Sequence, residues 1–193
     1  MTPPLEFRAA GIPRHISTPR LVLRSFKHSD APDLYQATST SVAEINPFLP
    51  WCHPNSTLAD ARQWIHTADS NWDSDEGWAF AIRAQQTGEF IGGCGLNKID
   101  EHLNANLGYW IKSSAVGLGY ASEAARALAV YGLHHLQLIR IEIIMSTANT
   151  RSVRVAEKIG ATYEGIARNR LILHDLAHDA HVFSMISADI LEA

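Results

Sequence analysis

Gly117-Leu118-Gly119 stands between an apolar, strand-like run ending near Lys112 and a long helical pattern that begins at once. That order brings several backbone N–H groups to one point at a helix N-terminus. Unpaired donors and the helix dipole there both favour an anion such as phosphate. Glycine permits the turn conformations such a loop needs and lets a phosphate reach the backbone. The same two glycines also suit a tight turn with nothing bound, and a lone GxG does not separate the two readings. The P-loop pattern GxxxxGK(S/T) is absent, and the dinucleotide pattern GxGxxG is broken by Ser122.

The chain has ten histidines, which invites a metal reading. His174, His178 and His181 are the densest group, but a hairpin there need not place them on one face, and no cysteine joins them; no metal is expected. His134 and His135 are neighbours and cannot point one way on a helix. Cys52 and Cys94 are the only cysteines and lack CxxC spacing. Cys94, in the apolar stretch 91–96, reads as a buried small side chain, and a reducing cytoplasm is the simplest location.

The elements that must position these groups follow from periodicity. Residues 20–26 (RLVLRSF) alternate as a strand, with Leu21 and Leu23 set against Val22 and Arg24. Ser29 or Asp30 can cap a helix running to about Thr38. Residues 45–54 hold three prolines and read as a loop or broken helix. Thr57, with Asp60 three residues on, opens a helix towards Trp72. Strands are expected over 78–83, 89–96 and 106–112; Gly92, Gly93 and Gly95 in the middle one indicate a bulge or close approach by a ligand or another backbone. From Gly119 the period is helical, with Ala121, Ala124, Leu128, Tyr131 and His135 forming a stripe that packs on a sheet. Residues 140–146 (RIEIIMS) read as a buried strand. Asn149 can cap a helix ending at Ile159 and Gly160, and residues 163–190 read as two strands joined around 174–179. Helices lie between strands early and late, so the fold class is α+β or mixed α/β, in one domain over 1–193.

Composition narrows the partners. The chain is 46% hydrophobic with a net charge of -4, enough for a substantial core and without the basic face nucleic-acid binding needs. No run reaches the roughly 18 apolar residues a membrane span requires. Residues 1–16 lack the apolar stretch of a secretory signal.

Two blocks carry a family resemblance. Leu107-Gly108-Tyr109-Trp110-Ile111 followed by Gly117-Leu118-Gly119-Tyr120-Ala121-Ser122-Glu123-Ala124 resembles the acetyl-CoA motif of GCN5-related N-acetyltransferases (GNAT). It is most similar to the RimJ/RimL branch, which acetylates N-termini of ribosomal proteins. Arg140-Ile141-Glu142, the run from Asn149 through Thr150, Arg151, Ser152, Val153 and Arg154 to Ala161, and Glu164-Gly165 resemble the second block of that family. The opening TPRLVLR (18–24) and the loop around Trp51 also fit, so the resemblance spans nearly the whole chain.

The resemblance implies a central, twisted, mostly antiparallel sheet flanked by helices and splayed at the cofactor site. It implies acetyl-CoA as co-substrate, without a metal, and an amine acceptor such as a ribosomal-protein N-terminus. Amides of Gly117, Leu118, Gly119, Tyr120 and Ala121 would hold the pyrophosphate. The backbone of Tyr109, Trp110 and Ile111 would pair with the pantetheine arm. Asn149 and Ser152 would sit by the thioester, with Ser152 able to donate to the departing sulfur. The loop 46–53 with Trp51 and His53, the stretch after Leu96, and the hairpin 174–179 with Asp175 would frame the acceptor.

This chain departs from the family pattern twice. The family usually has Arg or Gln where Val116 stands, so one side-chain contact to phosphate is lost. Close relatives often carry Glu where Asn106 stands, and an amide cannot act as a base. An α-amine of pKa about 8 is roughly 10% neutral at pH 7, against about 0.04% for a lysine. An N-terminal acceptor therefore demands less of a base, and a water path could suffice. Glu101, His102, His53 and Asp175 are the candidate bases. A small-molecule amine acceptor, a succinyl donor, and a catalytically silent acyl-CoA-binding module are the alternatives; the molecule is expected as a monomer or homodimer.

Overall fold

The computed structural model describes residues 13–98 and 100–191. The reading of residues 1–16 as leaderless falls largely on residues 1–12, outside those described.

One sheet runs through the molecule in the order β1-β2-β3-β4-β5-β6-β8-β7. Its strands are β1 (His15–Ser17), β2 (Leu21–Ser25), β3 (Gly77–Ala84), β4 (Phe90–Lys98), β5 (Asn104–Ile111), β6 (Arg140–Ser146), β7 (Thr162–Leu173) and β8 (Leu176–Met185). Neighbours pair antiparallel except β5 with β6, which are parallel. The helices are α1 (Ala31–Ser39), α2 (Val42–Ile45), α3 (Leu58–Asp73), α4 (Tyr120–His134), α5 (Thr150–Lys158) and α6 (Ser187–Leu191). None of the described helices is long and apolar enough to cross a membrane.

Alternation along β3 separates the two faces of the sheet. Trp78, Phe80 and Ile82 join the main core with Ala124, Ala125, Leu128 and Ala129 of α4. Ala79 and Ala81 belong to a smaller cluster with Ala31, Leu34 and Ala37 of α1 and Ile65 of α3. Large residues thus face α4, and small ones let α1 and α3 approach.

The glycine run in β4 has the expected cause. A Cβ on Gly92 would come within 2.2 Å of the Trp110 carbonyl oxygen on β5, and one on Gly93 within 2.8 Å of the Trp110 indole nitrogen. The register of β3 on β4 also shifts between Ile82 and Arg83, opposite Gly92 and Phe90.

Thr57 caps α3 with a reciprocal bond to Asp60, as its sequence indicates. Four expectations need correction. Asp30 precedes α1 without capping it through its side chain; its buried carboxylate instead accepts from Arg24, Arg83 and the Lys27 N–H. His135 ends the α4 stripe exposed, its ring tilted beside that of Tyr131, instead of packing on the sheet. Strand β6 alternates buried and half-buried residues, since Arg140 and Glu142 share the more open face. Beyond Met185 the chain turns into α6 rather than continuing as strand, its first turn held by Asp189 accepting from the Ile186 N–H.

Candidate active site

Strands β5 and β6 share only three residue pairs: Asn104–Arg140, Ala105–Ile141 and Asn106–Glu142. Beyond these, β5 continues along β4 to Ile111 while β6 continues along β8 to Ser146. The sheet therefore opens into a wedge with Asn106 and Glu142 at its vertex. The edge of β5 from Leu107 to Ile111 that faces the wedge has no strand partner.

The turn Gly117-Leu118-Gly119 lies past the mouth end of β5. Both glycines take left-handed φ, 86° and 81°, where a side chain is strained. Gly119 is the N-cap of α4 and supplies no side-chain acceptor. Among the described residues, no backbone acceptor takes the N–H groups of Gly117, Leu118, Gly119, Tyr120 or Ala121. Five free donors at the start of a 15-residue helix suit an anion. Val116 is exposed and apolar, so it adds no charge.

Two cations stand where Val116 offers none. A Cβ on Gly119 would lie 3.4 Å from Arg20 Nη2 and 3.8 Å from Lys158 Nζ. Arg20 Nη1 donates to the Leu118 carbonyl at 2.9 Å, and its Nε to Glu123 at 2.6 Å. The Glu123 carboxyl is held below its ordinary value: burial opposes this, but bonds from Thr18 and Arg20 outweigh it.

On the other side of the wedge, Asn149 caps α5 by accepting from the Ser152 N–H at 3.1 Å. The Tyr109 phenol, reaching across from β5, lies 3.2 Å from Ser152 Oγ and 3.3 Å from the Ser152 carbonyl oxygen. Burial pushes the Tyr109 pKa up to about 12, only partly offset by the bond to Ser152. The phenol therefore keeps its proton at neutral pH. Its one hydrogen has two acceptors in reach, Ser152 Oγ and the Ser152 carbonyl; placed on Oγ, it leaves the serine hydrogen free to point into the wedge.

At the vertex, Asn106 Oδ1 is buried with no hydrogen-bond partner. Its neighbour Glu142 is bonded to Arg140 at 3.0 Å, and Arg140 also binds Glu164. Two residues beyond Asn106 and on the same face, Gly108 is exposed, and a Cβ there would meet nothing within 4 Å. Packing does not demand that glycine. Trp51, nearly half exposed, meets Trp110 edge-on with centroids 5.9 Å apart. His174, at the turn between β7 and β8, places Nε2 2.9 Å from the Asn46 carbonyl, joining that hairpin to the loop carrying Trp51.

A family model described as "Acetyltransferase (GNAT) domain" matches residues 20–162. The chain belongs to the GNAT acetyltransferase family. It is 31% identical over 177 residues to the uncharacterized N-acetyltransferase p20 of Bacillus licheniformis, covering 89% of this chain and 96% of p20. It is 25% identical over 175 residues to the ribosomal-protein-serine acetyltransferase of Escherichia coli K12, covering 84% and 96%. A solved structure of RimL, a ribosomal L7/L12 α-N-protein acetyltransferase in complex with coenzyme A, shares the fold with a TM-score of 0.81 at 24% identity, covering 91% of this chain and 97% of that one. The chain is thus an N-acetyltransferase, and its eight-stranded, mostly antiparallel sheet with flanking helices is the GNAT fold.

Within this GNAT enzyme the expected site residues fall into two groups. Tyr109, Asn149 and Ser152 form one bonded cluster, and the 117–121 turn, Tyr109, Trp110 and Ile111 all border the wedge. Trp51 is an exposed wall rather than core. His53 is exposed, beside Ser56 and close enough to Asp60 to act on its charge, and Asp175 sits exposed at the hairpin turn with φ 63°; no described contact joins either to Ser152 or Asn106. Glu101 and His102 are exposed on the β4–β5 link. Among the described residues no three His, Cys, Asp or Glu side chains lie close enough to hold a metal ion. His181 instead pairs with Tyr163. Cys52 and Cys94 are buried, and burial raises both thiols above the usual range.

Sequence reasoning missed Arg20, Glu123 and Lys158 as neighbours of the turn, and the Tyr109 phenol as partner of Ser152. Arg20 and Glu123 both lie in the runs that carry the family resemblance. Nothing in one sequence pairs residues about a hundred positions apart.

Proposed function

We propose that this GNAT enzyme transfers an acetyl group from acetyl-CoA to an α-amine at the N-terminus of a protein, a ribosomal protein being the best-supported class. The observation that carries this is the wedge, with free amides at Gly117–Ala121 at one end and the Tyr109–Ser152–Asn149 cluster at the other. Coenzyme A in the RimL structure and the ribosomal-protein substrate of the E. coli relative support the donor and acceptor classes. The continuous sheet and the match over 20–162 support one domain spanning 1–193. The two buried free thiols are compatible with a cytoplasmic location.

The turn amides would hold the diphosphate, and the unpaired edge at Tyr109, Trp110 and Ile111 the pantetheine arm. The acceptor would enter by Gly108, between Trp51 and Asn106, where space is open. The amine nitrogen bonds to the thioester carbon, the C–S bond breaks, and the sulfur takes a proton from Ser152, which regains one from the water that receives the proton of the amine. Tyr109 then stands as donor to the serine oxygen. The proton lost by the amine leaves through water. No carboxylate at the vertex is free to take it, since Glu142 is held by Arg140. That arrangement favours an α-amine, about 10% neutral at pH 7, over a lysine.

The test is thiol release from acetyl-CoA and succinyl-CoA with three acceptors: peptides copying ribosomal-protein N-termini, N-blocked lysine peptides and small amines. Turnover is expected with free N-termini and acetyl-CoA. Faster reaction of the lysine peptides or small amines would overturn the acceptor class. Tight CoA binding without turnover would make the protein a silent binding module.

A further inference from the structure

The Arg20 side chain is bound at three places, and all three concern the same turn. Its Nε donates to Glu123 Oε2 at 2.6 Å, its Nη1 to the Leu118 carbonyl at 2.9 Å, and its guanidinium carbon lies 4.9 Å from the centre of the Tyr120 ring. Glu123, in the first turn of α4, also accepts from Thr18 Oγ1 at 2.6 Å and from the Arg20 N–H at 2.9 Å. One carboxylate thus fixes both the backbone and the side chain of the segment leading into β2.

A trans peptide points its C=O and N–H in opposite directions, and no described peptide bond is cis. With the Leu118 carbonyl turned to Arg20, the Gly119 N–H must point away from Arg20. Gly119, free of a Cβ and at φ 81°, could otherwise let that peptide plane rotate. Glu123 raises a second issue. A carboxylate in the first turn of the same helix repels an anion bound at its N-terminus, and the guanidinium beside it cancels that charge.

We propose that Arg20, held by Glu123 and Thr18, is a positioning residue for the phosphate-binding turn: it sets the Leu118–Gly119 peptide so that the Gly119 N–H is presented to the diphosphate. This rests on the acetyl-CoA reading above. An exposed ion pair by itself contributes little. The function here lies in the carbonyl bond, which needs a fork that reaches two acceptors at once. Lysine has the charge but not the fork.

The test is calorimetric CoA binding together with steady-state kinetics in acetyl-CoA for wild type, Arg20→Met, Arg20→Lys and Thr18→Val. Arg20→Met keeps an unbranched side chain and removes every guanidinium contact, that with the Tyr120 ring included. It is expected to raise Kd and KM about tenfold, with kcat at saturating acetyl-CoA within about twofold. Arg20→Lys is expected to recover less than half of that loss on a logarithmic scale. Thr18→Val leaves every charge in place; it removes the bond to Glu123 and the bonds of Thr18 Oγ1 to the Leu21 backbone. It is expected to raise Kd about threefold, and it carries the test if Arg20→Met does not fold. Equal affinity in the variants and wild type would overturn the proposal, as would full recovery in Arg20→Lys, which would mark a plain charge effect. Absence of CoA binding by wild type would instead defeat the acetyl-CoA reading.

Discussion

The Tyr109 phenol on β5 donates to Ser152 Oγ on α5 across 3.2 Å, bridging the two sides of the wedge. Burial keeps that phenol protonated up to about pH 12, and with its hydrogen on Ser152 Oγ the serine hydrogen is left to the wedge. Ser152→Ala is therefore expected to lower kcat about a hundredfold, the loss of a positioned acid. Tyr109→Phe should cost about fivefold, the worth of one neutral hydrogen bond. Kinetics showing an unchanged kcat for Ser152→Ala would remove the serine from the proton path.

Gly119→Asp would place a carboxylate between Arg20 Nη2 and Lys158 Nζ, 3.4 and 3.8 Å from the new Cβ. The left-handed φ strains the substitution, but the two cations can accommodate its charge. CoA affinity is expected to fall about a hundredfold or more, the effect of a like charge a few ångströms from the phosphate. Unaltered affinity by calorimetry would move the phosphate site elsewhere.

Lys158 ends α5 beside the same turn and has no salt bridge among the described residues. It can act only as a point charge. Lys158→Met is expected to weaken CoA binding about threefold at low salt and not at all near 1 M, where the Debye length is about 3 Å. A salt-independent loss would show that the side chain packs on the nucleotide instead. Comparing acetyl-CoA with acetyl-dephospho-CoA then separates the 3′-phosphate from the diphosphate.

Asp30 sits buried beneath α1 between Arg24 and Arg83, at 2.7 Å from each. Burial alone would raise its pKa, but the bonds from Arg24, the Lys27 N–H and Arg83 hold it below the ordinary value. Arg140 and Ser184, against burial, hold Glu164 at about 2. A lowered folded pKa contributes stability that is complete above the unfolded value, roughly 4, and is lost as pH falls through the folded value. Stability should thus drop from about pH 4 towards pH 2. Asp30→Asn should cost about 3 kcal/mol at pH 7, and less at pH 3. Denaturant titrations giving the same difference at both pH values would refute the assignment.

The local rules held where one segment decided its own structure. The Thr57–Asp60 box, the Asn149 cap and the left-handed Gly119 each follow from neighbours a few residues away, so they could be read directly. The glycines of β4 could be read only as needing a close approach; that Trp110 makes it required the β4–β5 register.

Most of the elements, the motif that starts α4, the fold class and the family were legible in the sequence. Periodicity and capping are local, and the two motif blocks are contiguous. Tertiary structure alone decided which groups meet: Arg20 with Glu123 and Leu118, Lys158 with Gly119, Tyr109 with Ser152, and Glu142 with Asn106 at the vertex. Those pairings depend on strand order and on where β5 and β6 part, which are set by packing the whole sheet between α4 on one face and α1 and α3 on the other.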